Sequence, residues 1–297
     1  KLAELLEKVK QLEDGEEKDN LQIEITTLQN KEKMIEDEKI QLSVNNLKMY
    51  FGGVKAVDDL SFEVYKGEIF GLIGPNGAGK TTVFNCVTQF YKSNAGGILF
   101  HNKQGHVRNL MNLKTHDIIT EGISRSFQNI IMIWELNILD NMLVAAHSML
   151  ITNYFDHAFG TKRKIKEETV LKTKALKILE DLELLQYAYR FPHQLAYGVL
   201  KKVELARTLM TNPSLIILDE PAAGLNEVET IELAKTIKNI NKKYGATIFL
   251  VEHDMGLVMS ISDRILAISF GKKLALGTPK EVQNNEQVRI AYLGDDE

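Results

Sequence analysis

The sequence predicts an α/β fold, with a core of parallel strands and intervening helices, an antiparallel β region ahead of it, and a helical arm in front. Three observations carry this prediction. The short apolar runs EIFGLIG, SLIILDE and TIFLVEH each stop at residues with chemistry, which is the pattern of central parallel strands covered on both faces. IQLSVNNLKMYF and LSFEVY alternate apolar and polar residues, predicting half-buried antiparallel strands near residues 40 to 70. Between such runs lie amphipathic stretches. In residues 163 to 185, for example, Leu171, Ala175, Ile178, Leu182 and Leu185 share one helical face.

Length and composition set the outer limits. With 297 residues and 44% hydrophobic content, the chain can bury a large core. No stretch approaches the ~20 consecutive apolar residues of a membrane-spanning helix, and the first residues lack a signal-peptide pattern, so any membrane role is expected to be peripheral. Cys86 has no cysteine to pair with, which fits a reducing cytosol and a small buried hydrophobe. No histidine spacing points to a metal site. Residues 1 to 40 hold seven basic and twelve acidic residues, leaving 29 basic and 28 acidic for the remainder. An acidic arm therefore precedes a nearly neutral body, and neither part has the basic excess of a nucleic-acid binder.

The arm, residues 1–38, is rich in helix formers and free of proline and aromatics. Leu2, Leu5, Val9 and Leu12 step by three and four residues, as an a/d seam does. The seam breaks at Asp14-Gly15 and resumes at Leu21, Ile25, Leu28 and Ile35, with Glu32 in the remaining slot. A helical hairpin or an interrupted coiled coil fits this spacing better than one rod. A helix packed on nothing is the alternative. Residues 39–297 form the second unit.

Within that unit, GPNGAGKTT follows a predicted strand and opens a predicted helix. Gly74, Pro75, Asn76, Gly77, Ala78, Gly79, Lys80, Thr81 and Thr82 match the pattern G-x-x-x-x-G-K-[ST]. Its glycines let successive N–H groups converge on a phosphate, aided by the helix N-terminus, while Lys80 reaches the β and γ phosphates and Thr81 offers a hydroxyl to Mg²⁺. The run LIILDE ends in Asp219 and Glu220: the first suits a magnesium held through water, the second suits a base for an attacking water.

These residues, together with LAYGVLKKVELARTL at 195–209, resemble an ATP-binding cassette (ABC) ATPase from about residue 40 to the end. SVNNLKMYFGGVKAVDDLSFEV, LDEPAAGLN, VEHDMGLVMSISDRI and AYLGDDE look more closely like the ATP-binding subunits of bacterial branched-chain amino acid importers. The resemblance implies a P-loop NTPase core of the RecA-like kind with an antiparallel β subdomain and a helical subdomain at about 129–198. It implies ATP and Mg²⁺ as cofactors, a second ATPase subunit, integral permease subunits, an upstream substrate-binding protein, and a peripheral site on the cytoplasmic face of the membrane. It further implies adenine stacking on Phe51, contact of Gln128 with Mg²⁺ and the attacking water, and contact of His253 with the γ-phosphate. Related ATPases serve urea import or lipopolysaccharide export. A soluble SMC-type or DNA-repair ATPase is the rival raised by the arm, although such proteins insert their coiled coils between the phosphate loop and the signature.

The signature, Leu-Ser-Gly-Gly-Gln in the wider family, closes over ATP held by the opposite subunit. Leu195, Ala196, Tyr197, Gly198 and Val199 stand at those positions, and Leu200 follows where this branch commonly has a glutamine. Two readings stay open at this point. The pair Val199 and Leu200 has either given up side-chain bonds to the partner's phosphate, or packs against neighbouring helices at no cost to function.

Overall fold

The computed structural model describes residues 2–12, 15–126, 130–146 and 162–293. The arm consists of α1 (Leu2–Gln11) and α2 (Glu16–Glu36), which pack on each other as a hairpin. Instead of coiling around a partner helix, α2 lies on a β-sheet. Ile25 and Met34 are its buried anchors, at 1% and 0% exposure, whereas Ile35 of the predicted seam is 59% exposed.

That sheet is antiparallel, with strand order β2-β1-β4-β5, where β1 is Ile40–Phe51, β2 Val54–Tyr65, β4 Ala95–His101 and β5 Val107–Asn109. It therefore extends well beyond residue 70, where the sequence pattern placed its end. β1 was expected to be half-buried, but its polar residues Gln41, Ser43 and Asn45 are buried as well. Gln41 donates to His101 O and accepts from Thr247 Oγ1 of the other sheet at 3.5 Å, while the arm explains the burial of Ser43 and Asn45. α2 packs over β4 and β1, and Asn30 donates a 2.6 Å hydrogen bond to the Asn45 side-chain oxygen. The helix comes this close because residue 97 is glycine: a Cβ there would lie 2.4 Å from Thr27 Oγ1.

The second sheet has the order β10-β9-β3-β8-β7-β6. Its members are β3 (Ile69–Ile73), β6 (Ile123–Arg125), β7 (Leu215–Asp219), β8 (Thr247–Val251), β9 (Arg264–Ser269) and β10 (Lys272–Gly277). All neighbours are parallel except the edge pair β9 and β10. As predicted, the three apolar runs are central strands, and β3, β7 and β8 are buried throughout. Between the sheets sits an aromatic cluster: Phe62 stacks on Phe70 at 5.6 Å, and Phe84 meets Phe249 edge-on at 4.5 Å. Phe84 belongs to α3 (Lys80–Val87), so the helix behind the phosphate loop is locked into this core. The short α4 (Asp117–Glu121) leads into β6.

The opposite face of the parallel sheet carries a second core. It takes in residues of α5 (Ile138–Ala145), α6 (Lys162–Asp181), α7 (Tyr197–Leu209), α8 (Glu227–Tyr244) and α9 (Met255–Ile261). α10 (Pro279–Gln283) and α11 (Glu286–Leu293) follow β10. α6 stops at Asp181, short of the predicted 185. Glu183 takes a left-handed φ of 59° and the Leu184 amide bonds back to Leu179 O at 2.7 Å. The turn buries Leu184 at 2% exposure and leaves Leu185, predicted on the apolar face, 43% exposed. Among the described residues, no helix is long and apolar enough to cross a membrane.

Candidate functional site

The phosphate loop connects β3 to α3, and its glycines are dictated by close neighbours. A Cβ on Gly74 would lie 2.3 Å from Ile268 O, and one on Gly79 would lie 2.2 Å from Ala56 O. Gly77 and Gly79 also have left-handed φ values of 79° and 99°. The Lys80 ammonium donates to the carbonyls of Gly74 at 2.7 Å and Pro75 at 2.9 Å. Burial lowers the Lys80 pKa, opposed by the charge of Glu220.

Asn76 through Thr82 line a cavity of about 380 Å³ together with Val54, Lys55, Ala56, Glu220, His253 and Phe270. The structure thus brings Lys80, Thr81, Thr82, Glu220 and His253 into one cleft although they are far apart in sequence. Glu220 has a left-handed φ of 48°, an uncommon conformation for a non-glycine residue and a frequent one at functional sites. Its amide donates to Val251 O at 2.9 Å, fastening the end of β7 to β8. Its side-chain Oε1 is 2.6 Å from His253 Nε2.

Asp219 lies beside this cleft, 7% exposed, and receives a 2.6 Å charge-assisted bond from Arg125. The same guanidinium donates to Asn85 Oδ1 at 2.7 Å and contacts Thr88 Oγ1 at 3.3 Å, so it ties β6 and β7 to α3. Phe51 is at the rim, 43% exposed, with its ring edge-on to Tyr91 at 5.2 Å. It pairs across the hairpin with Val54, which lines the cavity while Phe51 does not. Gln128 falls outside the described residues. Ser126, the last described residue before it, donates its amide to Ile217 O at 2.9 Å.

The signature segment is elsewhere. None of Leu195, Ala196, Tyr197, Gly198 and Val199 lines the cavity around the phosphate loop. Ala196 is the N-cap of α7 and supplies no side-chain cap; its carbonyl accepts the amides of Val199 at 3.0 Å and Leu200 at 3.1 Å. The Tyr197 ring packs on Gly224, where a Cβ would come within 3.2 Å of it. Leu200 is 4% exposed and belongs to the helical core, and the half-buried Val199 packs at the edge of that core. For Leu200, packing is a sufficient explanation of the apolar side chain.

Sequence reasoning missed six residues that the fold brings to the site: Val54, Lys55, Ala56, Arg125, Glu252 and Phe270. Glu252 stands out in hindsight as an acid directly following an apolar strand, and it is 3% exposed. Arg125 had a weaker signal, three residues before Gln128.

The donor set fits a nucleotide and a hard cation. The loop presents glycine amides and a cation to a polyphosphate, and Thr81 and Asp219 are oxygen ligands of the type Mg²⁺ takes. Among the described residues there is no group of three or more His, Cys, Asp or Glu that could hold a metal on its own. A magnesium ion here would therefore depend on few protein oxygens plus phosphate and water, which is its usual mode beside nucleotides.

Comparison with known proteins agrees with this geometry. The family model described as ABC transporter matches residues 57–223, and that of the branched-chain amino acid ATP-binding cassette transporter matches residues 272–297. The chain is 44% identical over 254 residues to the high-affinity branched-chain amino acid transport ATP-binding protein LivG of Escherichia coli (strain K12), covering 86% of this chain and 98% of that protein. It is 41% identical over 254 residues to BraF of Pseudomonas aeruginosa, with the same coverage of both chains. Among solved structures, the ADP conformation of an ATP-binding cassette of an ABC transporter superposes with a TM-score of 0.73 at 32% identity, covering 86% of this chain and 99% of that one. A nucleotide-free ATP-binding cassette gives 0.72 at 30% identity, covering 86% and 100%. The chain belongs to the ABC transporter family of ATP-binding cassettes, in the branch of the branched-chain amino acid transport ATP-binding proteins.

Proposed function

We propose that this cassette hydrolyses ATP to drive import of branched-chain amino acids, working as one of two ATPase subunits beneath integral permease subunits. An upstream binding protein delivers the amino acid, and the cassette sits peripherally on the cytoplasmic side of the membrane. The names of its relatives support the cargo.

The observation that carries the catalytic reading is the Glu220–His253 contact at 2.6 Å, facing the glycine cradle across one cavity. On substrate binding, the loop amides and Lys80 take the β and γ phosphates, with Lys80 exchanging its bonds to Gly74 and Pro75 for phosphate oxygens. Phe51 offers its exposed ring to adenine. Thr81, Asp219 and Gln128 are the residues that would hold Mg²⁺, which when bound neutralises charge developing on the phosphates. Glu220 accepts the proton of the water that attacks the γ-phosphorus in line, and His253 holds the Glu220 carboxylate and the γ-phosphate in register. ADP and phosphate leave. The segment 195–199 presents its helix N-terminus to the nucleotide of the opposing subunit.

The test is turnover by the purified chain in magnesium. Glu220→Gln is expected to lower the rate by about 100- to 10,000-fold, the scale of a lost general base, while nucleotide affinity persists. Turnover at the wild-type rate in that variant overturns the assignment. For cargo, the complex captured from membranes is reconstituted in vesicles with its binding protein. ATP-dependent uptake of leucine, isoleucine and valine is expected, and uptake of urea in their place overturns the cargo.

A further inference from the structure

Glu252 is the last residue before the His253 turn and is 3% exposed. Its two oxygens serve two different segments of chain. Oε1 accepts the Ala222 amide at 2.6 Å, while Oε2 accepts the amides of His253 at 2.9 Å and Asp254 at 3.3 Å. Ala222 opens the loop that follows Glu220, and this loop is internally braced, with the Ala223 amide on Glu220 O at 3.1 Å and the Leu225 amide on Ala222 O at 3.0 Å. Fixing the Ala222 amide therefore fixes the loop from Glu220 to Leu225. Fixing the His253 amide fixes the backbone from which the imidazole reaches Glu220.

We propose that Glu252 is a positioning residue for ATP hydrolysis, joining the Glu220 turn to the His253 turn so that carboxylate and imidazole stay aligned over the phosphate cradle. The inference rests on the roles proposed above for Glu220 and His253. Three amide donors converging on one side chain require an ionised acceptor at both oxygens, which a carboxylate supplies and a carboxamide does not. Burial pushes the Glu252 pKa up, and the amides of Ala222, Asp254 and His253 oppose that rise. Burial lowers the pKa of Lys201 of α7, which is 2% exposed, and the charges of Glu204 and Glu252 oppose that fall. The same carboxylate thus also acts on the helix that begins with the signature segment.

The experiment compares the full-length wild type with Glu252→Gln and Glu220→Gln for turnover, for ATP affinity by titration with a fluorescent ATP analogue, and for Tm. Whichever way the carboxamide introduced by Glu252→Gln turns, its NH₂ group faces a backbone N–H, so one of the two joints opens. A misplacement of this size is expected to lower turnover roughly 10- to 100-fold, with ATP affinity held within about threefold. In a His253→Ala background, the Glu252→Gln change is expected to cost less turnover than it does in the wild type, because only the Glu220 turn is left to align. Turnover within twofold of wild type in Glu252→Gln overturns the proposal, and so does a loss of ATP affinity in step with turnover. Should Glu252→Gln prove insoluble, Glu252→Asp is read by the same criteria, since it keeps the charge but withdraws the oxygens by one methylene. Wild-type turnover in Glu220→Gln would overturn the underlying role of Glu220. An inactive Glu220→Gln beside a fully active Glu252→Gln would overturn the Glu252 proposal alone.

Discussion

The phosphate loop and the signature segment are both junctions that lead a chain into a helix and expose its first amides, yet they are specified at different levels. In the loop, each constraint comes from backbone. Gly79 needs its left-handed φ, and Ala56 O sits where a side chain would begin. In the signature segment, Gly198 has an ordinary helical backbone, and a Cβ there would meet the end of the Glu229 side chain at 2.7 Å, a group that can move. Its apolar neighbour Leu200 answers to the helical core rather than to a ligand. Backbone constraints leave a motif that can be read in one dimension. Packing constraints do not, which is why the greasy entry to α7 carried two readings on sequence alone.

The largest effect that would sharpen this contrast is expected from Gly79→Ala. Even one methyl must displace the Ala56 carbonyl and adopt a strained φ, so nucleotide affinity is expected to fall at least ~100-fold, equivalent to about 2.7 kcal/mol. Titration with a fluorescent ATP analogue reads this, and affinity within threefold of wild type would break the claim that backbone dictates the loop. Next in size is Leu200→Gln. Replacing a core side chain with an amide that has no partner is expected to cost about 3 kcal/mol of stability, measured by denaturant unfolding. A cost below ~0.5 kcal/mol would show that Leu200 is not held by packing.

The same division between local and tertiary information runs through the rest of the molecule. The strands β3, β7 and β8 were legible because continuous apolar runs have few other uses, and the phosphate loop because of its glycines. The far edge of the antiparallel sheet was not, since β4 opens on Ala95-Gly96-Gly97, β5 has three residues, and both take their place by pairing rather than by pattern. The alternation in β1 correctly gave a strand and incorrectly gave a wet face, because the cover over Ser43 and Asn45 comes from α2, which precedes it in the chain, and Gln41 is taken up by His101 and by Thr247 of the other sheet. The heptad-like spacing in the arm gave helices but not their target, so Ile35 was assigned to a seam and Met34 is the residue that is buried. In the site, Lys80, Glu220 and His253 were found by motif and by resemblance. Arg125 and Glu252 escaped because each acts by joining segments that only the fold brings together.

Gly198→Ala is the direct counterpart of Gly79→Ala and is expected to do far less to the chain that carries it. Alanine favours the helix by up to about 1 kcal/mol, while the Glu229 carboxylate, which accepts the Asn226 amide at 3.1 Å, must shift. These terms oppose each other, so stability is expected to stay within about 1 kcal/mol and nucleotide affinity at the chain's own loop to be unchanged. A parallel loss of affinity in the two alanine variants would abolish the distinction between the two junctions.

The smallest expected change in stability, and the finest test, is Val199→Gln. Val199 is half-buried at the margin of the core, so a glutamine there can lay its methylenes where the valine packs and leave its amide in water. Stability is expected to move by less than about 0.5 kcal/mol, which separates this position from Leu200 one residue on. Turnover then isolates the side-chain contribution to the opposing subunit's nucleotide. A restored hydrogen bond worth about 1 to 1.5 kcal/mol, if made only in the transition state, raises the rate roughly 5- to 13-fold in the reconstituted transporter. An unchanged rate means that the first amides of α7 carry the phosphate contact by themselves, and that the apolar side chain at 199 costs this cassette nothing.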